Sequence, residues 1–401
     1  LIKKLINLAI LATPLFTVTE YLSVMAGSYV PLPTDLRVKI IKDVILLIII
    51  ILFGARVLIS GKLKVNKIVL LFTVIALSFA LGLVMNGAMF TLISLRVYLP
   101  FLLILISLSI YEDKDYETLN KILWGLFIIQ IVICFVQILL PTMGGGKAFF
   151  GIFHRLIGTF AYPNTLALFL LLVNSIFLFQ PRSFKRLIPL SLSCFLIIGT
   201  GSGAGILLMC IMFLLYFMLS TKLSAQIKPL LVFVFVFIIG ISIIFLPIVS
   251  GRADVYSISA SKRADYLNET ISNANMMQFL FGRGMGVGSN TVGFLANSNI
   301  LEHNENVFIN DSLFTSLFAQ MGVLGLGVFI VFNCYIVWLA YRCKYNLGVV
   351  FLSIWFCYNL SGSGLEVFPV NWVYMLIVGR VINIRKNLLV DNDFSAKMVT
   401  F

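Results

Sequence analysis

The chain has 401 residues, 60% of them hydrophobic and only 11% charged, with a formal net charge of +13 and a mean hydropathy of +1.06. Soluble domains are nearer half apolar and a quarter charged because they need a wettable surface, so a soluble reading is excluded. The basic residues sit in short clusters between apolar runs, the pattern of loops in a membrane protein and not of a nucleic-acid-binding patch.

Runs such as Val44–Leu52 and Leu230–Leu246 are too long and too apolar for buried strands, and they lack the alternation of a spanning β-barrel. Helices are predicted, in chain order, over 5–26, 40–60, 67–85, 90–110, 121–140, 162–180, 186–200, 204–220, 229–249, 312–340, 346–361 and 370–384. The first run lacks a small-residue cleavage site and reads as a spanning helix, not as a removable signal. Between 186 and 220 the segment Gly199–Gly205 separates two short helices. Threading the set from a cytoplasmic N-terminus puts 18 of the 29 basic residues in cytoplasmic segments, among them Lys3, Lys62, Lys114, Arg182, Lys222, Arg342 and Arg385. The positive-inside rule therefore predicts both termini in the cytoplasm. The expected fold class is an all-α polytopic membrane protein of about twelve transmembrane helices. It forms a single transmembrane domain over 1–401, with a large outer loop, 250–311, between the ninth and tenth helices.

That loop is too long to be a mere connection. It holds a helix-like stretch, Ala264–Phe281, followed by the glycine cluster Gly282–Gly288. Six cysteines lie mostly in apolar runs and none pairs at metal-ligand spacing, so neither disulfide nor metal site is expected and no cofactor is implied. The informative charges are arginines at or near the outer face: Arg37, Arg96, Arg155, Arg252, Arg263 and Arg283. Guanidinium forks match phosphate oxygens, so six outer arginines, against the positive-inside trend, point to an anionic ligand on that side. Arg96 falls inside the fourth predicted helix, where a charge calls for a partner or a polar cavity, although a snorkelling arginine leaves the same trace. Asp311 and His303 are candidate proton acceptors among acids that include Asp254, Asp265, Glu269, Glu302, Glu305 and Glu366. The glycine cluster has no strand-turn-helix setting, so it is not read as a nucleotide-binding loop.

Three segments resemble the bacterial O-antigen ligase and polymerase superfamily. They are Arg155-Leu-Ile-Gly-Thr-Phe160 with Tyr162-Pro-Asn-Thr165; Arg263-Ala-Asp-Tyr266 with Phe281-Gly-Arg-Gly-Met-Gly286; and Asn310-Asp-Ser-Leu-Phe314 running into Gln320-Met-Gly-Val-Leu-Gly325. The family's Ser-Arg turn after the seventh helix is absent, since Ser202 is followed by Gly203. Asp311 at the loop's re-entry is similar to the Wzy-type polymerase branch, whereas ligases commonly carry a histidine there. The resemblance implies a GT-C-like, metal-independent glycosyltransferase that polymerises undecaprenyl-diphosphate-linked oligosaccharides at the periplasmic face of the inner membrane. Implied partners are these donor and acceptor glycolipids and a chain-length regulator protein. Arg155 and Arg263, supported by Arg96 and Arg283, would hold the diphosphate, and Asp311 or His303 would act on the acceptor hydroxyl. The alternatives are an O-antigen ligase acting on lipid A–core and, in another class, a transporter or flippase of lipid-linked glycans. A transporter should show midplane charges and internal repeats, and the sequence has almost no midplane charge and no repeat.

Overall fold

The computed structural model describes residues 1–18, 33–61, 68–140, 145–149, 153–160, 162–179, 184–219, 265, 267–288 and 312–398. Among them the helices are α1 (Ile2–Leu11), α2 (Pro33–Ser60), α3 (Val69–Met85), α4 (Ala88–Tyr98), α5 (Leu102–Ile110), α6 (Asp113–Leu139) and α7 (Pro163–Phe179). They continue with α8 (Phe184–Gly199), α9 (Gly203–Leu219), α10 (Met276–Phe281), α11 (Leu313–Arg342), α12 (Asn346–Tyr358) and α13 (Val370–Met398). Two short strands, β1 (Gly145–Phe149) and β2 (Phe153–Arg155), form an antiparallel hairpin with Gly145 opposite Arg155.

Among the described residues, four helical stretches are long and apolar enough to cross a membrane: Ile40–Ser60, Ala88–Ile110, Asp113–Leu139 and Leu313–Arg342. Several shorter helices, including α3, α7, α9 and α12, are equally apolar. The architecture is that of an all-α membrane protein, and its outer surface agrees. Large apolar side chains face outwards along α2 (Ile41, Val44, Leu47, Ile51), α3 (Leu70, Leu77, Val84) and α6 (Ile128, Val132, Phe135). A soluble protein does not present apolar faces of this extent.

The centre of the bundle is α7, buried at every position from Leu166 to Leu178, together with α12 and the first turns of α13. A helix apolar on all sides can only sit there. Aromatic packing joins these helices: Trp355 stacks on Tyr374 with ring centroids 3.6 Å apart, and the Tyr374 hydroxyl donates to Asn333 of α11. Helix α13 also lies tightly on α5, where a Cβ on Gly379 would come within 2.3 Å of the Ser107 hydroxyl. Small residues at such seams let helices approach closely.

One end of the bundle is basic and aromatic. Lys3 pairs with Asp115 at 2.7 Å, and Arg380 pairs with Asp113 at 3.1 Å while lying over the rings of Tyr116 and Tyr345. Arg385 donates to the Tyr335 hydroxyl and Arg342 covers Trp338. The helix starts of α1 and α6, the end of α11 and the middle of α13 therefore share this end. Here α6 begins with a capping box in which Glu112 and Asp115 satisfy each other's backbone N–H groups.

Most predicted helices coincide with observed ones, and the differences have local causes. The predicted 90–110 is interrupted by a 3₁₀ turn at Leu99–Phe101, because Pro100 has no N–H to give to an α-helix. The predicted stretch Ala264–Phe281 does not form a continuous helix: Asn275 caps a new helix at Met276, accepting from Gln278 N at 2.9 Å. The last helix continues past 384 to Met398. The expected helix over 229–249, most of the 250–311 loop and residues 19–26 of the first span lie outside the described residues.

Candidate functional site

At the end opposite Lys3 and Arg380, non-helical segments fold back between the helices. Backbone that leaves a helix inside a membrane protein must find partners for every N–H and C=O. Segment Leu156–Phe160 finds them on α6. Gln137 Oε1 accepts from Ile157 N at 3.1 Å and Gly158 N at 3.0 Å, and its Nε2 donates to Gly158 O at 2.8 Å. Gln130, two turns earlier on the same face, accepts from Thr159 N at 2.9 Å and donates to the Thr159 hydroxyl at 2.8 Å. Gly158 has φ +60°, and a Cβ there would lie 2.2 Å from Gln130 Oε1, so no other residue fits.

This buried segment carries Arg155 at its head. Arg155 ends strand β2, is half-buried, and its Nε donates to Thr200 O at 2.7 Å. Thr200 belongs to the glycine-rich turn between α8 and α9, and Leu156 N donates to Gly199 O at 3.0 Å beside it. Arg155 is thus held between the hairpin and that turn, with His154 preceding it on the strand.

The second segment is the glycine turn after α10. All four glycines have positive φ: 80° at Gly282, 81° at Gly284, 108° at Gly286 and 61° at Gly288. The turn plugs a break in α11 at Gly322, where φ is 65° and ψ −170°. Breaking a helix orphans the carbonyls of its last turn. Here Arg283 N donates to Ala319 O at 2.8 Å and Gly284 N to Gln320 O at 3.1 Å, so the turn caps the first half of α11 from outside. Helix α3 closes the other side: Met285 N donates to Ser78 O at 3.0 Å, and Asn86 Nδ2 donates to the carbonyls of Arg283 and Met285 at 2.8 and 2.9 Å. A Cβ on Gly284 would lie 2.3 Å from Gly82 N.

Arg96, on α4, pairs with Asp43 of α2 at 3.3 Å, with the two side chains 20% and 23% exposed. Two residues on, the buried Tyr98 hydroxyl donates to Gln320 Oε1 at 2.6 Å. The loop Gly364–Glu366 lies against α4 and is pinned by Asn359 Oδ1 accepting from Gly364 N and Asn371 Nδ2 donating to Leu365 O, both at 2.7 Å. Contacts continue around this end: Lys42 of α2 lies over Phe368, Phe368 meets Phe16, and Thr17 donates to the Thr159 hydroxyl at 3.1 Å. The segments bearing Arg155, Arg96 and Arg283 are therefore neighbours around one end of the bundle.

Of the residues singled out in the sequence, Arg155, Arg96 and Arg283 are brought to this end. Arg263, Asp311 and His303 lie outside the described residues. Arg96 has the carboxylate partner that its depth called for, Asp43. Sequence reasoning missed Asp43, Gln130, Gln137, Tyr98 and Gln320. Their signal was available, because a polar side chain within an apolar span needs a reason. Among the described residues no group of three or more His, Cys, Asp or Glu could hold a metal ion, and the six cysteines are free. No protein-family model and no curated protein matches the chain.

Proposed function

We propose that this chain is a glycosyltransferase that polymerises undecaprenyl-diphosphate-linked oligosaccharide repeat units into O-antigen or a related surface polysaccharide. In this reading it has a GT-C-like fold of about twelve spans in the bacterial inner membrane, with cytoplasmic termini and the arginine-bearing end facing the periplasm. The observation that supports it best is the mounting of Arg155 and Arg283. They come from two of the segments that resemble the family, and each rides on buried, hydrogen-bonded, non-helical backbone at the same end of the bundle.

Cleaving a glycosyl bond to a lipid diphosphate leaves that diphosphate as the departing group. Its developing negative charge is the main electrostatic demand of the reaction. Guanidinium groups preset on rigid segments meet that demand without reorganising. Arg155 and Arg263 take the diphosphate in this scheme, with Arg283 in support. Arg96 is the weaker contributor, because Asp43 already offsets its charge. Asp311 or His303 accepts the proton of the attacking sugar hydroxyl.

The test is to reconstitute the purified chain in lipid nanodiscs with lipid-diphosphate-linked oligosaccharide from the source cell. A ladder of lengthening glycans is expected, and it should persist in excess chelator. Transfer of glycan only to added lipid A–core would make the chain a ligase. Movement of glycolipid across proteoliposomes without any transfer would make it a transporter.

A further inference from the structure

The turn Gly282–Gly288 has one polar side chain, that of Arg283; its other six positions are glycine or apolar, and all six are buried. The Arg283 side chain is half-buried and makes no hydrogen bond or ion pair with any described residue. So much backbone bonding around a single uncommitted guanidinium raises the question of what sets its direction. Gln320 is the residue on which the bonds converge. Its carbonyl accepts from Gly284 N at 3.1 Å and from the Ser78 hydroxyl at 3.0 Å. Its side-chain Nε2 donates to Val287 O at 2.7 Å, at the far side of the turn. Because Val287 O can only accept, the amide must turn its nitrogen towards it, and this leaves Oε1 for the Tyr98 hydroxyl at 2.6 Å.

We infer that Tyr98 and Gln320 are positioning residues: through the Val287 and Gly284 bonds they hold the glycine turn in the one register that aims Arg283 into the proposed site. The inference rests on the reading of Arg283 as an arginine that supports the diphosphate. Tyr98 is buried and remote in sequence, yet its hydroxyl joins α4 through Gln320 to Val287 at the turn's far side, whereas Thr91 of the same helix reaches only Met285 O, at 3.4 Å. Removing that hydroxyl leaves a buried amide oxygen unsatisfied and loosens the amide's grip on Val287.

Two measurements on the full chain in nanodiscs test this. In the first, Arg283→Cys is reacted with a membrane-impermeant maleimide, after subtracting the labelling of the parent chain, with and without Tyr98→Phe. A severalfold change in labelling rate is expected, and an unchanged rate overturns the inference. In the second, glycan transfer is compared for Tyr98→Phe, Arg283→Ala and the double variant. Tyr98→Phe alone should lower the rate about tenfold, and it should add nothing once Arg283 is gone. The same loss in both backgrounds would mean that Tyr98 serves the bundle's stability and does not aim Arg283. If the parent chain transfers no glycan, the proposed function fails by itself and the labelling rates alone decide the positioning role. Should Tyr98→Phe not accumulate in the membrane, Gln320→Met, which removes the amide's bond to Val287 O while keeping the backbone carbonyl, replaces it in both measurements.

Discussion

Arg155 and Arg96 show how the same residue type can be set to different tasks by its neighbours. Arg155 has its Nε committed to the Thr200 carbonyl, which orients the planar guanidinium. Lysine keeps the charge but has neither that anchoring N–H nor a planar fork, so Arg155→Lys should fail as Arg155→Ala does. Both should lower transfer by about 10²–10³, measured as glycan ladder length at matched protein level, while Arg182→Ala on the proposed cytoplasmic side changes little. Arg96 and Asp43 form a partly buried pair, and removing one member strands the other in low dielectric. Arg96→Ala and Asp43→Ala should each destabilise the protein, and the double variant should cost about 1–2 kcal/mol less than the sum. Thermal unfolding in detergent would read this coupling, and strict additivity would show that the pair contributes nothing as a pair.

Among the elements, the two re-entrant segments depend on opposite kinds of residue. Leu156–Phe160 depends on two glutamines that replace the bonds a helix would have made. Gln137→Leu should cost about 2–4 kcal/mol, because it leaves the Ile157 and Gly158 N–H groups and the Gly158 carbonyl without a partner. The glycine turn depends on missing side chains. Gly284→Ala would place a Cβ 2.3 Å from the α3 backbone at a residue whose φ is +81°. It should cost more than about 2 kcal/mol and reduce the amount of folded protein. Gly327→Ala is the control: nothing lies within 4 Å of the added carbon, and alanine favours the helix there by about 1 kcal/mol. Melting temperatures that move together in the two variants would contradict the close packing of the turn on α3.

At the level of the whole molecule, the two ends differ in kind. One end gathers Lys3, Arg380, Arg385 and Arg342 with Tyr116, Tyr345, Tyr335 and Trp338, the mixture that settles at a membrane–water boundary. The other end gathers the re-entrant segments. Single cysteines at Lys344, just after α11, and at Met276, at the start of α10, therefore mark opposite sides. In intact spheroplasts the cysteine at Met276 should react with an impermeant thiol reagent, and the one at Lys344 should react only after the membrane is opened. The reverse pattern would turn the molecule over and remove the periplasmic site from the proposed function. Labelling of both cysteines from one side would contradict the bundle itself.

The sequence by itself determined the helical membrane class, the positions of most helices and the segments that bear Arg155, Arg96 and Arg283. These follow from apolar run length and from the cost of charge in hydrocarbon, and both can be read locally along the chain. It also located the glycine cluster, but not what the cluster does. That Gly282–Gly288 caps a broken α11, that Asp43 answers Arg96, and that Gln130 and Gln137 hold Leu156–Phe160 were decided only by the tertiary structure. These contacts join residues from about 20 to more than 190 positions apart, as in Gln137 with Gly158 or Asn86 with Arg283. A glutamine on an apolar helix carries no local mark of the backbone it will satisfy. Its partner is chosen by which segments the packed helices leave without hydrogen bonds, and that is a property of the assembled bundle.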